Sequence, residues 1–226
     1  MNAAILETRL GFFERSLELT ERSLEAFEKV GWPRGLAIAL DNLVLLRAYT
    51  GRFEEAREAA RRASTLADEL DFAMQKASIV ENLAFAEAQT GNFELAISLA
   101  EESFERRNSF ESNVWSCKTL ADIAIWQANV GNLPAAREAI VELYKHEDEF
   151  VNATEFPTYC YWAAAQIFHL DGRSADERRA LQKARQIMQT VVQELEDEDR
   201  AQYLAIAWHA DLIRATDSNE WPSPPR

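Results

Sequence analysis

The chain has 226 residues, a formal net charge of −14, and only seven Gly and six Pro. That charge argues against a phosphate-binding or anionic membrane surface, since both need clustered Lys and Arg, and the sparse Gly and Pro argue against a turn-rich β-sandwich. Two cysteines, Cys117 and Cys160, are too few for a disulfide framework, and no window approaches the apolar length of a membrane span or the core of a signal peptide. The expected setting is cytoplasmic, with reduced thiols.

Taken in chain order, the first element is a short apolar-periodic stretch before Gly11, followed by LGFFERSLELTERS from Leu10. Next come Ile38, Leu40, Leu43, Val44 and Leu46, then Gly51 inside TGRFEEAREAARRAS, then Phe53, Ala56, Ala60, Ala63, Leu66, Ala67 and Leu70. Apolar residues three and four apart predict an amphipathic helix on each side of the glycine. The unit returns at Gly91 (TGNFELAISLAEES), Gly131 (VGNLPAAREAIVEL) and Gly172 (LDGRSADERRALQKA). Gly11, Gly51, Gly91 and Gly131 are each 40 apart and Gly172 follows 41 later, so the chain is an internal repeat. Each glycine suits the left-handed residue that ends a helix. Asn92 and Asn132 stand at N-cap positions and Pro134 in a first turn, where its missing N–H costs little. Small residues recur at Ser16, Ala56, Ala96 and Ala136, where they let neighbouring helices approach closely.

The fifth unit carries Glu177 where Ala is expected. After the acidic run Glu194 to Asp199, about residues 199–215 read as one further helix, a cap over the last apolar face. Residues 217–226, DSNEWPSPPR, read as a flexible polar tail. The expectation is therefore a single helical repeat domain over residues 1–216. Because the first helix is cut short, the chain is either a piece of a longer protein or begins on an incomplete cap.

The repeat resembles the tetratricopeptide repeat family. The resemblance rests on the turn glycine, the aromatic or Leu two residues on (Phe13, Phe53, Phe93, Leu133), the small residue three further, and the stretch EKVGWPRGLAIALDNL at residues 28–43. Its 40-residue period is similar to the longer-helix variety found in bacterial regulators and kinesin light chains. The resemblance implies an all-α, right-handed superhelix (an α-α solenoid) of about five helix pairs plus a capping helix, with a concave face lined by the first helix, A, of each pair.

On that register the inner wall carries Ile38, Asp41, Asn42, Leu45 and Tyr49, then Ser78, Glu81, Asn82, Phe85 and Gln89, then Lys118, Ala121, Asp122, Ile125 and Asn129, and last Tyr159, Trp162, Gln166 and His169. Within it, Asn42, Asn82, Phe85, Lys118, Asp122, Ile125, Tyr159, Trp162, Gln166 and His169 are the candidate binding residues. Asp41 and Asp122 stand where a carboxylate clamp would need basic groups, so that ligand class is rejected. The competing reading packs Tyr159 and Trp162 against the closing helix at Trp208.

No catalytic or nucleotide motif is present, and Glu142 with His146, or His169 with His209, make weak metal pairs. No enzyme activity, cofactor or metal is expected. The expected function is a scaffold for a protein or peptide, with self-association left open and no direct nucleic-acid or membrane contact. The alternative is the sensor region of a larger bacterial signalling or transcriptional regulator whose output domain lies outside this chain.

Overall fold

The computed structural model describes residues 2–108, 117–147 and 156–225. Among these the chain is all-α, with twelve helices. We number them α1 (Asn2–Leu10), α2 (Phe13–Val30), α3 (Pro33–Tyr49), α4 (Phe53–Glu69), α5 (Ala73–Gln89), α6 (Phe93–Asn108), α7 (Cys117–Asn129), α8 (Leu133–Tyr144), α9 (Pro157–Leu170), α10 (Ser174–Glu194), α11 (Asp197–Ala205) and α12 (Ala207–Ser218). The fold is a solenoid of antiparallel helix pairs. It forms two compact units, Met1–Glu111 and Ser112–Arg226.

The turns follow from backbone chemistry. At Gly51 (φ 74°) the glycine N–H donates to the Ala48 carbonyl and the Arg52 N–H to the Arg47 carbonyl. This pair of bonds closes the last turn of α3 and satisfies two carbonyls a helix end leaves orphaned. The same pair recurs at Gly11, Gly91, Gly131 and Gly172. The turns between units repeat the device one half-period later, at Gly31 and at Asp71. Asp71 holds a left-handed φ of 48°, a conformation its short polar side chain tolerates. Asn132 caps α8 by accepting from the Ala135 N–H, and Pro134 lies in the first turn. Asn92 takes another role: its amide donates to Glu87 and Thr90.

In the first unit α3 packs on α2, α4 and α5. Its core joins Leu17, Leu40, Leu43, Val44 and Ile79 to an alanine stripe on α4, at Ala56, Ala59, Ala60, Ala63 and Ala67. Removing side-chain bulk along that stripe brings backbones close enough for dense packing. In the second unit α9 packs on α7, α8, α10 and α12. Residues Cys160 to Ile167 of α9 are buried without interruption, because neighbours cover every side of the helix.

Ala56, Ala96 and Ala136 are fully buried, as their recurrence predicts. Ala96→Leu should overpack α6 against α5, lowering stability by about 1–3 kcal/mol. Thermal or urea unfolding checks this, and an unchanged midpoint would mean that Ala96 is not at a helix crossing.

The closing region differs from the sequence reading. Instead of one helix there are two, broken at Ile206, whose backbone is extended (φ −55°, ψ 131°). The break lets His209 fold back on Tyr203: the rings lie 4.2 Å apart and His209 Nδ1 is 2.8 Å from the Tyr203 carbonyl. Both residues and Leu212 are buried there, a gain in packing that a straight helix would forgo.

Candidate functional site

Each unit presents a face built from its A helices. In the first unit the face is centred on Asp41 of α3. Its carboxylate accepts from Gln75 Nε2 (2.6 Å), Ser78 Oγ (2.6 Å) and Asn82 Nδ2 (2.9 Å), all on α5. Burial pushes the Asp41 carboxyl up to about 6, against the opposing pull of the Ser78 and Asn82 hydrogen bonds. Asn82 therefore serves a helix–helix cross-link. Phe85 lies 4.7 Å from the Tyr49 ring, which stacks at 4.2 Å on Phe13, and Asn42 is half-buried on α3.

Among the described residues several ion pairs join helices of this unit, and two are the least exposed. Arg57 on α4 grips Glu87 on α5 through two bonds of 2.6 and 2.8 Å, and the Arg57 hydrogen bond holds the Glu87 carboxyl below the usual range. Arg107 on α6 pairs with Glu81 on α5 at 2.5 Å, both largely out of solvent.

In the second unit, α7 and α9 supply the face. Lys118 Nζ lies 2.5 Å from Asp122 Oδ2, one helical turn along α7. Tyr159 on α9 donates its hydroxyl to Asp122 Oδ1 at 2.8 Å, and the Lys118 ammonium is 6.0 Å from the Tyr159 ring. Lys118, Asp122 and Tyr159 are thus brought together as the inner-wall register predicts, and they satisfy one another. Ile125, Trp162 and Gln166 share the A-helix positions but are buried. Tyr159 packs edge-on against Trp208 at 5.6 Å, as the competing reading proposed. Trp162 has a different partner, Trp221, whose ring stacks on it at 5.5 Å with planes 12° apart. Trp221 also stacks on His169, at 4.0 Å. Further along the same segment the Pro225 carbonyl accepts from Asn129 Nδ2 at 2.8 Å.

In the sequence this segment reads as a flexible polar tail. The signal available was a single Trp among polar residues, which has no periodicity to read. A second concavity of about 260 Å³ opens beside Tyr144, Tyr161, Phe168 and Arg173.

The remaining candidates for chemistry are committed elsewhere. His169 Nδ1 is 3.2 Å from Glu177 Oε2, which explains a carboxylate in an alanine position. His209 is buried, with its pKa lowered to about 4 by desolvation. Glu142 pairs with Lys145. Cys117 and Cys160 are buried, and burial pushes the Cys160 thiol up, away from the reactive thiolate. Among the described residues no three His, Cys, Asp or Glu side chains are placed to hold a metal ion, and no helix is long and apolar enough to cross a membrane.

Repeated helix pairs closed by left-handed turns, with facing A helices, define an all-α helical-repeat protein. The tetratricopeptide repeat family model matches residues 1–69. Among solved structures, BtubC (BKLC) from P. vanneervenii superposes with a TM-score of 0.63 at 16% identity, covering 95% of each chain. A putative kinesin light chain from Podosopora anserina, with nearly identical TPR-like repeats, gives 0.57 at 14% identity over 84% of this chain and 93% of that one. No curated protein matches. The family model thus covers the first 69 residues, and the likeness to the solved structures shows the same helical-repeat fold over the rest of the chain.

Proposed function

We propose that the chain is a non-enzymatic scaffold that binds a protein or peptide through the A-helix face of its second unit. The fold supports the coarser part, since tetratricopeptide repeats generally serve protein interaction. One observation carries the finer part. Asn129, Trp162 and His169, on adjacent A helices, hold a non-helical stretch of polypeptide through ring stacking and a main-chain hydrogen bond. Aromatic anchors with a few placed polar groups are what a peptide-binding surface requires. Lys118, Asp122 and Tyr159 extend that face with polar groups of fixed geometry.

A photo-crosslinking residue placed at position 159, and separately at exposed Glu138 on α8, tests the assignment. Crosslinks to a partner polypeptide from position 159 and not from 138 are expected; the reverse pattern would place the binding surface on the other helix of the pair. Tyr159→Phe should remove the hydroxyl bond to Asp122 and cost about 0.5–1.5 kcal/mol of stability. Thermal unfolding of that variant gives the number, and no change would mean the bond adds nothing over hydration.

A further inference from the structure

Residues 219–225 leave α12 through Asn219, whose backbone is left-handed (φ 55°, ψ 32°). Asp217, just before this turn, is pinned to Arg185 of α10 at 2.8 Å. The turn sets Trp221 flat on His169 and Trp162 and brings the Pro225 carbonyl to Asn129. Trp221 Nε1 donates to Asn219 Oδ1 at 3.2 Å, so the polar edge of the indole is satisfied within the segment and both faces remain for stacking.

The segment is seated on the unit, not built into its core. Trp221, Pro222 and Pro225 are only half-buried, and Ser223 and Pro224 are exposed. Trp162 beneath the indole has no exposed surface while Trp221 covers it. Lifting residues 221–225 would open an aromatic slot and leave in place the Glu220 N–H bond to the Arg214 carbonyl that closes α12. A proline-rich stretch is stiff before it docks, so it loses little conformational freedom on binding.

We propose that this slot is a receptor for an extended segment carrying a Trp followed by prolines, that residues 219–225 fill it in cis, and that a partner segment of the same chemistry binds by displacing them. The inference rests on the reading of the A-helix face as a binding surface. Trp162 and His169 take the indole, Asn129 takes a backbone carbonyl downstream, and the partner must outcompete an occupant already tethered at high local concentration.

The test is a titration of a fluorescent peptide of residues 218–225, SNEWPSPP, into the 226-residue chain and into its Trp221→Ala variant. The variant should bind at least about tenfold tighter, because only the open fraction of the parent is competent. Adding Asn129→Ala should weaken binding severalfold, and a peptide with Ala in place of the Trp should not bind. Equal affinity for parent and variant, or binding to neither, overturns the proposal. Should Trp221→Ala fold poorly, amide exchange of the parent chain decides: excess peptide should raise exchange across 219–225, and unchanged exchange overturns the displacement. Dimerisation of the parent that Trp221→Ala abolishes would place the segment in a second copy and overturn occupancy in cis. The two readings fail separately. Crosslinking at position 159 without peptide binding sinks only the slot; peptide binding without crosslinking at 159 sinks only the wider face.

Discussion

Trp162→Ala should lower the stability of the second unit by about 3–5 kcal/mol, the range for a fully buried large aromatic replaced by a methyl group. Trp162 has no exposed surface, and its helix α9 is packed on α7, α8, α10 and α12. A cavity left between packed helices persists, and its lining loses contacts outright. The loss should be confined to the second unit, since repeat units contribute to stability through themselves and their nearest neighbours. Amide exchange is the appropriate measurement: protection should fall across α9 and α10 and stay unchanged in α3 and α4. Trp162→Phe should recover much of the loss, because it keeps an aromatic face for Trp221. A Trp162→Ala chain with unaltered protection in α9 would mean that this side chain is dispensable to packing.

Asp41→Ala should cost about 1–3 kcal/mol, the range for a donor left buried and unsatisfied: buried Gln75 loses its acceptor, while half-buried Ser78 and Asn82 can turn to water. The loss belongs to the first unit and should appear as reduced protection in α3 and α5. Asp41 also makes that unit sensitive to pH. Its carboxyl is raised from the ordinary 3.8 to about 6, so the folded state takes up the proton more readily than the unfolded chain. The resulting stabilisation is full below about pH 4 and is lost as pH rises through about 6. At 1.36 kcal/mol per unit of pKa difference, its size is at most roughly 3 kcal/mol. Glu87, held below its ordinary value, works in the opposite sense. The informative quantity is therefore the difference between the parent and Asp41→Asn, measured by urea unfolding between pH 4 and 7. The parent should lose stability relative to the variant across that window; parallel curves would mean that Asp41 titrates near its ordinary value.

Asp41 and Asp122 show why the binding wall expected from the sequence and the structure differ in detail. The inner register of the A helices is local arithmetic, and it groups Asp41 with Asn82 and Lys118 with Asp122 and Tyr159. Arithmetic of that kind does not say whether a polar group faces solvent or another polar group. Asn82 turns to Asp41 and Tyr159 to Asp122, each from the next A helix, while Lys118 turns to Asp122 along its own helix, because desolvated carboxylates need donors. Groups that look available to a ligand along one helix are partly consumed by the neighbouring repeat.

The helix pairs, their turns and the buried alanines are legible in the residues alone. Each of these follows from interactions within a few residues: a left-handed glycine closing a helix, an apolar stripe at helical spacing, a small side chain where backbones cross. Gly51, Ala96 and Asn132 could be read for that reason. Stacking of the helices settles the rest: Ile206 breaks the closing helix, Glu177 answers His169, and Trp221 covers Trp162. The last contact joins residues far apart in the chain, and the first two cross a break or a turn that no helical period announces. They are selected by which surfaces are left to bury once the helices have stacked.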